Sequence, residues 1–181
     1  LGTEIARATR STQQLLALGR SDTAALDFAP LDLSSLLRTV ALELLPQARA
    51  KQIDFGIQPP APSHAMAVAD AHLMHEALTN LAANAIAYTP SGGTVTLAAA
   101  GDGLGWSLSV EDNGPGLTEQ EQATLGQRFK RGPQAKTAGS GLGLSIARSI
   151  AQRHGGALRL QNRESVQGLL ALVWWPKPAT H

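Results

Sequence analysis

Between Asp70 and Pro90 the chain has neither proline nor glycine and reads as one long helix, Ala71 to Tyr88. Asp70 is its N-cap, and Pro90 with Gly92-Gly93 ends it. Two asparagines, Asn80 and Asn84, stand one turn apart inside this helix, so both carboxamides project from one face. Leu78, Leu81, Ala82 and Ala85 lie toward another face, which packs on a sheet. Asparagine is a poor helix former because its amide competes for backbone hydrogen bonds, so a pair at helical spacing needs a reason. Solvent-exposed filler is the plain reason. The chemical one is that carboxamide oxygens can ligate a hard divalent cation.

Two glycine clusters follow. Asp112-Asn113-Gly114-Pro115-Gly116 lies at the end of an expected strand and is good turn chemistry. It also suits a purine site: Asp112 can accept a hydrogen bond from an exocyclic adenine amine, and Gly114 and Gly116 let a base lie against backbone. A keto group at the same place would set acceptor against acceptor. Gly139-Ser140-Gly141-Leu142-Gly143 then opens a helix, where free amides and the positive dipole end can face phosphates. A dinucleotide fingerprint would join a strand directly to a helix early in a βαβ unit, and these glycines come late, after a long loop. The Gly-Lys-Ser/Thr phosphate loop is absent. The three features together point to a nucleotide with Mg²⁺.

The remaining pattern gives an α+β fold, a two-layer α/β sandwich whose mixed sheet carries three main helices on one face. Strands are expected at 28–33, Ile53–Gln58, Ala65–Ala69, Thr94–Ala100, Trp106–Glu111, Ala157–Gln161 and Leu169–Trp175. Asp32 or Ser34 caps a helix running to about Ala50, and another runs from Leu142 to His154 before the Gly155-Gly156 stop. Residues 1–20 carry a sparse helical stripe that needs a partner helix. The stretch 113–140 shows little periodicity apart from a short helix near Glu119–Leu125, and a loop of that length in a compact domain is functional or mobile.

At 181 residues the chain is long enough to bury a core, with 43% hydrophobic and 16% charged residues. A formal net charge of +1 without a dense Lys/Arg block favours neither nucleic acid nor an anionic membrane surface as partner. The absence of cysteine removes disulfides, thiolate metal sites and thiol nucleophiles. The apolar run Leu169–Trp175 is far too short to span a bilayer. The chain starts at Leu1 without an initiator Met, as an excised piece of a longer protein would.

Four segments in order carry a family resemblance. Asn80-Leu-Ala-Ala-Asn84-Ala-Ile-Ala-Tyr88-Thr-Pro, Asp112-Asn-Gly-Pro-Gly116, Arg128-Phe129-Lys-Arg131-Gly132 and Gly139-Ser-Gly-Leu-Gly-Leu144 resemble the N, G1, F and G2 boxes of sensor histidine kinases. His154-Gly-Gly156, Gly168 and Pro176 resemble the closing hairpin of that family. The resemblance spans about residues 27–176. It implies the catalytic ATP-binding domain of the GHKL superfamily, with ATP under a mobile lid between Leu117 and Ala138. Residues 1–22 resemble the end of the second helix of the dimerisation hairpin, which leaves 23–181 as the catalytic domain.

Position by position, the resemblance implies Asn84 as the principal Mg²⁺ ligand, with Asn80 supporting metal and phosphate. Asp112 would read adenine, and Tyr88 would line the adenine or ribose pocket or pack on the core. Phe129 would anchor the lid, and Arg131 and Arg128 would reach the phosphates. Gly139, Ser140, Gly141, Leu142 and Gly143 would form the phosphate-facing segment, with Gly114 and Gly116 beside the base. The implied cofactors are ATP and Mg²⁺. The implied partners are ATP or ADP, the hairpin of the parent kinase and a response-regulator receiver domain, with no nucleic acid and no membrane contact by this piece. The implied location is a cytoplasmic domain of a bacterial inner-membrane sensor.

Two features depart from the family pattern: one phosphate-contacting position, and the phosphate acceptor, which in the family is a His followed by a carboxylate and shortly after a Pro on the first helix of the hairpin. Ala87 stands where many members carry Lys or Arg, which removes or replaces one phosphate contact. Among the histidines only His75 is followed by an acid, Glu76, and it lies inside the N-box helix as an ordinary exposed residue. The expected activity is therefore transfer of the ATP γ-phosphoryl group to a histidine outside this chain. An ATP hydrolase or clamp of the same superfamily is the first alternative, although Asn80 stands where those enzymes place a water-activating Glu. A non-catalytic nucleotide-sensing module is the second.

Overall fold

A computed structural model describes residues 25–121 and 142–178 of the chain. Strand β1 (Ala29–Asp32) leads straight into helix α1 (Leu33–Ala50), then β2 (Asp54–Gln58), a 3₁₀ turn (Pro62–His64), β3 (Met66–Ala69) and α2 (Ala71–Tyr88). After these come β4 (Thr94–Gly101), β5 (Gly105–Asp112), α3 (Leu142–Arg153), β6 (Ala157–Asn162) and β7 (Leu169–Pro176). No helix among the described residues is long and apolar enough to cross a membrane.

Caps set the helix starts. The Asp32 carboxylate accepts from Ser34 N (2.9 Å), Ser35 N (3.2 Å) and Ser35 Oγ (2.8 Å), so Asp32 rather than Ser34 is the cap of α1. Asp70 Oδ1 accepts from Leu73 N at 3.1 Å and starts α2. At the other end of α2, Lys51 Nζ donates to Ile86 O (2.9 Å) and Ala87 O (2.5 Å), placing a cation on the orphan carbonyls of the last turn.

The main sheet is mixed and five-stranded, in the order β2-β4-β5-β7-β6. The β2–β4 pair is parallel and the others are antiparallel. The three helices cover one face, with α1 over β2 and β4, α2 over β4 and β5, and α3 over β6 and β7. Strand alternation supplies the sheet half of the core: Val95, Leu97, Leu108, Val110 and Val173 are buried against Leu37, Val40, Leu78, Leu81, Ile146 and Ile150 of the helices.

The sequence predicts one sheet, and the structure has two. Strands β1 and β3 pair with each other, antiparallel, apart from the main sheet. Each of these strands ends at a capping aspartate that turns the chain into a helix, and Leu33 N donates to Ala65 O at 2.8 Å across that entrance. The pair therefore sits at the helix entrances, where it cannot extend the larger sheet. Trp175, fully buried on β7, ties the two sheets together by donating from Nε1 to Val68 O at 3.1 Å. His154 makes a second tie. It is buried, its Nδ1 lies 2.8 Å from Ile150 O, and Asp70 N donates to its Nε2 at 3.1 Å. That pairing fixes the neutral Nδ1–H tautomer and joins the end of α3 to the start of α2.

The expected helix over residues 1–20 and most of the expected lid lie outside the described residues. The helix expected from Glu119 does begin there. Thr118 and Glu121 cap it reciprocally: Glu121 Oε2 accepts from Thr118 N at 2.8 Å, and Thr118 Oγ1 accepts from Glu121 N at 3.2 Å.

Candidate nucleotide site

Helix α2 carries both asparagines toward α3. A methyl group built on Gly143 would lie 3.2 Å from Asn80 Oδ1 and 3.2 Å from Asn84 Nδ2, so the first turn of α3 rests directly on the two carboxamides. Glycine at this position permits that approach. Asn80 Nδ2 donates to Glu76 O at 2.9 Å, which orients its amide and leaves Oδ1 toward Gly143. Among the described residues, no hydrogen bond claims the Asn84 carboxamide. Leu142 opens α3 beside this contact.

The far end of α2 meets the turn after β5. A methyl group on Gly114 would lie 3.4 Å from both Thr89 Cα and Tyr88 O, and 3.0 Å from Asp112 Oδ1. The Asp112 turn and the end of the asparagine helix are thus contiguous. Tyr88 is 53% exposed, so it stands at the rim of this junction and does not pack into the core. Asn113 Oδ1 accepts from Thr94 N at 2.7 Å and Asn113 N donates to Thr94 O at 3.2 Å, which pins the turn to the start of β4.

Asp112 is 6% exposed. Its Oδ1 accepts from Gly114 N (2.8 Å) and Leu169 N (3.3 Å), which leaves Oδ2 available to a ligand. Burial pushes the Asp112 carboxyl above its ordinary range, opposed by those two amides and by the positive charge of Arg163. A buried carboxylate with one oxygen fixed by backbone is a single, directed acceptor. It suits an amine donor and disfavours a carbonyl.

The sequence reading did not anticipate the rear support of the Asp112 turn, which comes from the β6–β7 hairpin. Arg163 Nη1 donates to Asp112 O at 3.3 Å and its Nη2 lies 3.6 Å from Glu111 Oε2. Gly168, at φ +141°, packs its backbone against Asp112 O so closely that any side chain would collide there. Asn162 Oδ1 accepts from Leu117 N at 2.7 Å while its Nδ2 donates to Leu117 O at 2.9 Å. Only Gly168 carried a signal in the sequence.

Of the expected site residues, the structure brings together Asn80, Asn84 and Gly143 at one end, and Tyr88, Asp112, Gly114 and Gly116 at the other. Arg128, Phe129, Arg131, Gly139, Ser140 and Gly141 lie outside the described residues. Ala87 is exposed, and the nearest cation to its carbonyl is Lys51, which caps the helix end. His75, expected as an unremarkable surface residue, bonds through Nε2 to Glu43 Oε1 at 3.0 Å and so links α2 to α1.

The donor set fits a magnesium nucleotide. Mg²⁺ takes few protein oxygens and completes its octahedron with phosphate and water, so an unengaged carboxamide beside a close-packed helix start is sufficient protein ligation. At Gly143 a side chain would press on both carboxamides.

Comparison with known proteins gives the family and the fold. Residues 69–179 match the family model described as histidine kinase-, DNA gyrase B- and HSP90-like ATPase. Sensor protein QseC of Escherichia coli strain K12 is 36% identical over 174 residues, covering 94% of this chain and 37% of QseC. The chain thus spans a little over a third of the length of the curated relatives it matches. The catalytic domain of histidine kinase ThkA superposes with a TM-score of 0.71 at 30% identity, over 83% of this chain and 96% of that one. ThkA in complex with the response regulator protein TrrA gives 0.75 at 26% identity, over 98% and 49%. Full-length ShkA in complex with AMPPNP gives 0.75 at 31% identity, over 93% and 35%.

Proposed function

Since this chain belongs to the histidine kinase-, DNA gyrase B- and HSP90-like ATPase family, as the catalytic domain of a sensor histidine kinase, we propose that it binds Mg-ATP and delivers the γ-phosphoryl group to a histidine outside this chain. The observation that carries the reading is the packing of Gly143 on Asn80 and Asn84, in the second half of a helix whose C-terminal end abuts the turn of Asp112. The second half of one helix thereby carries the two carboxamides and adjoins the proposed base reader.

Each residue has a defined task in this proposal. Asp112 Oδ2 accepts the adenine amine, and its Oδ1 is held by Gly114 and Leu169. Asn84 ligates Mg²⁺ with Asn80 beside it, and Gly143 with the start of α3 offers backbone to the phosphates. Arg128 and Arg131 would add charge-assisted contacts to the phosphates, and Phe129 would anchor the covering segment. Magnesium held there would supply charge neutralisation for the phosphates. Phosphoryl transfer demands alignment and charge neutralisation more than covalent help from protein, and this site has groups suited to both.

The acceptor belongs to the parent hairpin. Among the described histidines, His154 is buried with both nitrogens hydrogen-bonded, His75 is paired with Glu43, and His72 is exposed on α2 but followed by Leu73 rather than an acid. Water activation is disfavoured because Asn80 is an amide, already donating to Glu76 O. The parent is proposed to be a bacterial membrane sensor holding this domain in the cytoplasm and passing phosphate to a response-regulator receiver domain.

Calorimetric titration with AMPPNP, with and without Mg²⁺, tests binding. Labelled ATP, supplied together with a separately purified histidine hairpin of the parent, tests transfer. The expected result is Mg²⁺-dependent binding, lost in Asp112→Ala, and label on the hairpin alone. Equal affinity for guanine and adenine nucleotides, or stable label on this domain by itself, would refute the proposal.

A further inference from the structure

The chain leaving β5 does not run out into solvent. From Asp112 it crosses the start of β7, which lies between β5 and β6 in the sheet, and arrives at the end of β6. That crossing covers two strand spacings, roughly 10 Å at about 4.8 Å each. It is fixed at both ends. At the near end Asp112 is held by Gly114, Leu169 and Arg163. At the far end the Asn162 carboxamide engages both the N–H (2.7 Å) and the carbonyl (2.9 Å) of Leu117. Between the anchors, Gly116 at φ +72° lies so near Asn162 that a methyl group there would stand 2.8 Å from Asn162 Oδ1 and 3.2 Å from Gly168 O.

A carboxamide that satisfies both backbone groups of one residue acts as a one-residue strand pairing, here added at the end of the edge strand β6. Removing it takes two hydrogen bonds from the far end of the turn, while Asn113 on Thr94 and the bonds of Asp112 still hold the near end. Gly114 and Gly116, the residues against which a base would lie, sit between the two anchors. We propose that Asn162 is a positioning residue for base recognition, setting the plane of the Gly114–Leu117 turn relative to the Asp112 carboxylate. The inference rests on the nucleotide-binding reading above and assigns part of that pocket's selectivity to a residue outside its glycine motifs.

A residue that only stabilises the fold would weaken all nucleotides alike when removed. A residue that sets the base plane changes the preference among bases. The test therefore compares ATP with inosine triphosphate, which carries a keto group in place of the adenine amine, on wild type, Asn162→Ala and Asn162→Asp. Amide hydrogen exchange at Leu117 and circular dichroism report the anchor and the fold. The expected result is about a tenfold loss for ATP in Asn162→Ala with little change for inosine triphosphate, together with faster exchange at Leu117. Asn162→Asp, which keeps an acceptor for Leu117 N, should fall between the two. An unchanged ATP-to-ITP ratio in a folded Asn162→Ala protein would overturn the inference while leaving nucleotide binding intact. A wild-type domain that binds neither nucleotide would overturn the binding reading itself, and this inference with it.

Discussion

The main-chain N–H of Asp70 donates to His154 Nε2 at 3.1 Å, so the residue that follows α3 is bonded to the residue that caps α2. These are the two helices that meet again at Gly143 and the asparagines. The imidazole also stacks edge-on with Phe28, ring centroids 5.3 Å apart. Three segments far apart in sequence therefore converge on one neutral ring.

That ring should make stability depend on pH. Burial lowers the His154 pKa from its ordinary 6.5. The unfolded chain therefore takes up a proton near that value while the folded chain resists it. The contribution is complete above about pH 6.5 and declines as pH falls toward the lowered native value, by at most about 1.4 kcal/mol per pH unit for one proton. Denaturant midpoints measured between pH 5 and 8 should show this decline in wild type. His154→Gln should be less stable throughout and flatter in that window.

Asp112 carries the opposite sign. Its raised native pKa means that the ionised form costs stability at neutral pH, a cost relieved as pH falls toward the ordinary carboxylate range. Asp112→Asn can still accept from Gly114 and Leu169, so the free domain should melt at the same or a higher temperature. ATP affinity should fall by about 10- to 100-fold, the loss of one buried charged hydrogen bond. Inosine triphosphate should gain relative to ATP, because the substituted amide can donate to a keto group. Thermal melts and competition titrations would read both effects.

Gly143→Ala separates folding from binding in a second way. Alanine is the better helix former by about 1 kcal/mol, yet its methyl group would press on both carboxamides at 3.2 Å. The expected protein is as stable as wild type and binds Mg-ATP at least about tenfold more weakly. A variant with normal affinity would show that α3 and the asparagines do not share the ligand.

Asn84→Ala should remove the magnesium dependence of nucleotide binding. Wild type is expected to lose affinity when the metal is chelated, whereas the variant should bind with the same reduced affinity in either condition. Titrations with and without a chelator would decide the point.

The local signals in the sequence read well, and the distant ones did not. Asp70 and Pro90 bracket α2 to its observed bounds because a cap and a helix breaker act within one turn. Thr118-Glu119-Gln120-Glu121 is a capping box by spacing, and it sits at the start of the short helix expected near Glu119. The division into two sheets depends on which strands pair, and β1 must find β3 from across α1 and β2. The site shows the same contrast. Asn80, Asn84 and Asp112 could be singled out as candidates because amide pairs and glycine turns have recognisable spacing. Asn162 and Leu169 could not, since their contacts span 45 and 57 residues and an asparagine or a leucine there looks ordinary.

One consequence follows from the Leu169–Asp112 contact for a nascent chain emerging from the ribosome. Asp112, the proposed base reader, is synthesised 57 residues before the amide that holds it. A half-made polypeptide already displays both asparagines and the first glycine cluster, but the Asp112 turn still lacks its back wall. On the proposed reading, ATP would have no complete docking place until translation has passed the terminal hairpin, and ligand capture would reward only a chain whose final strands have reached the sheet.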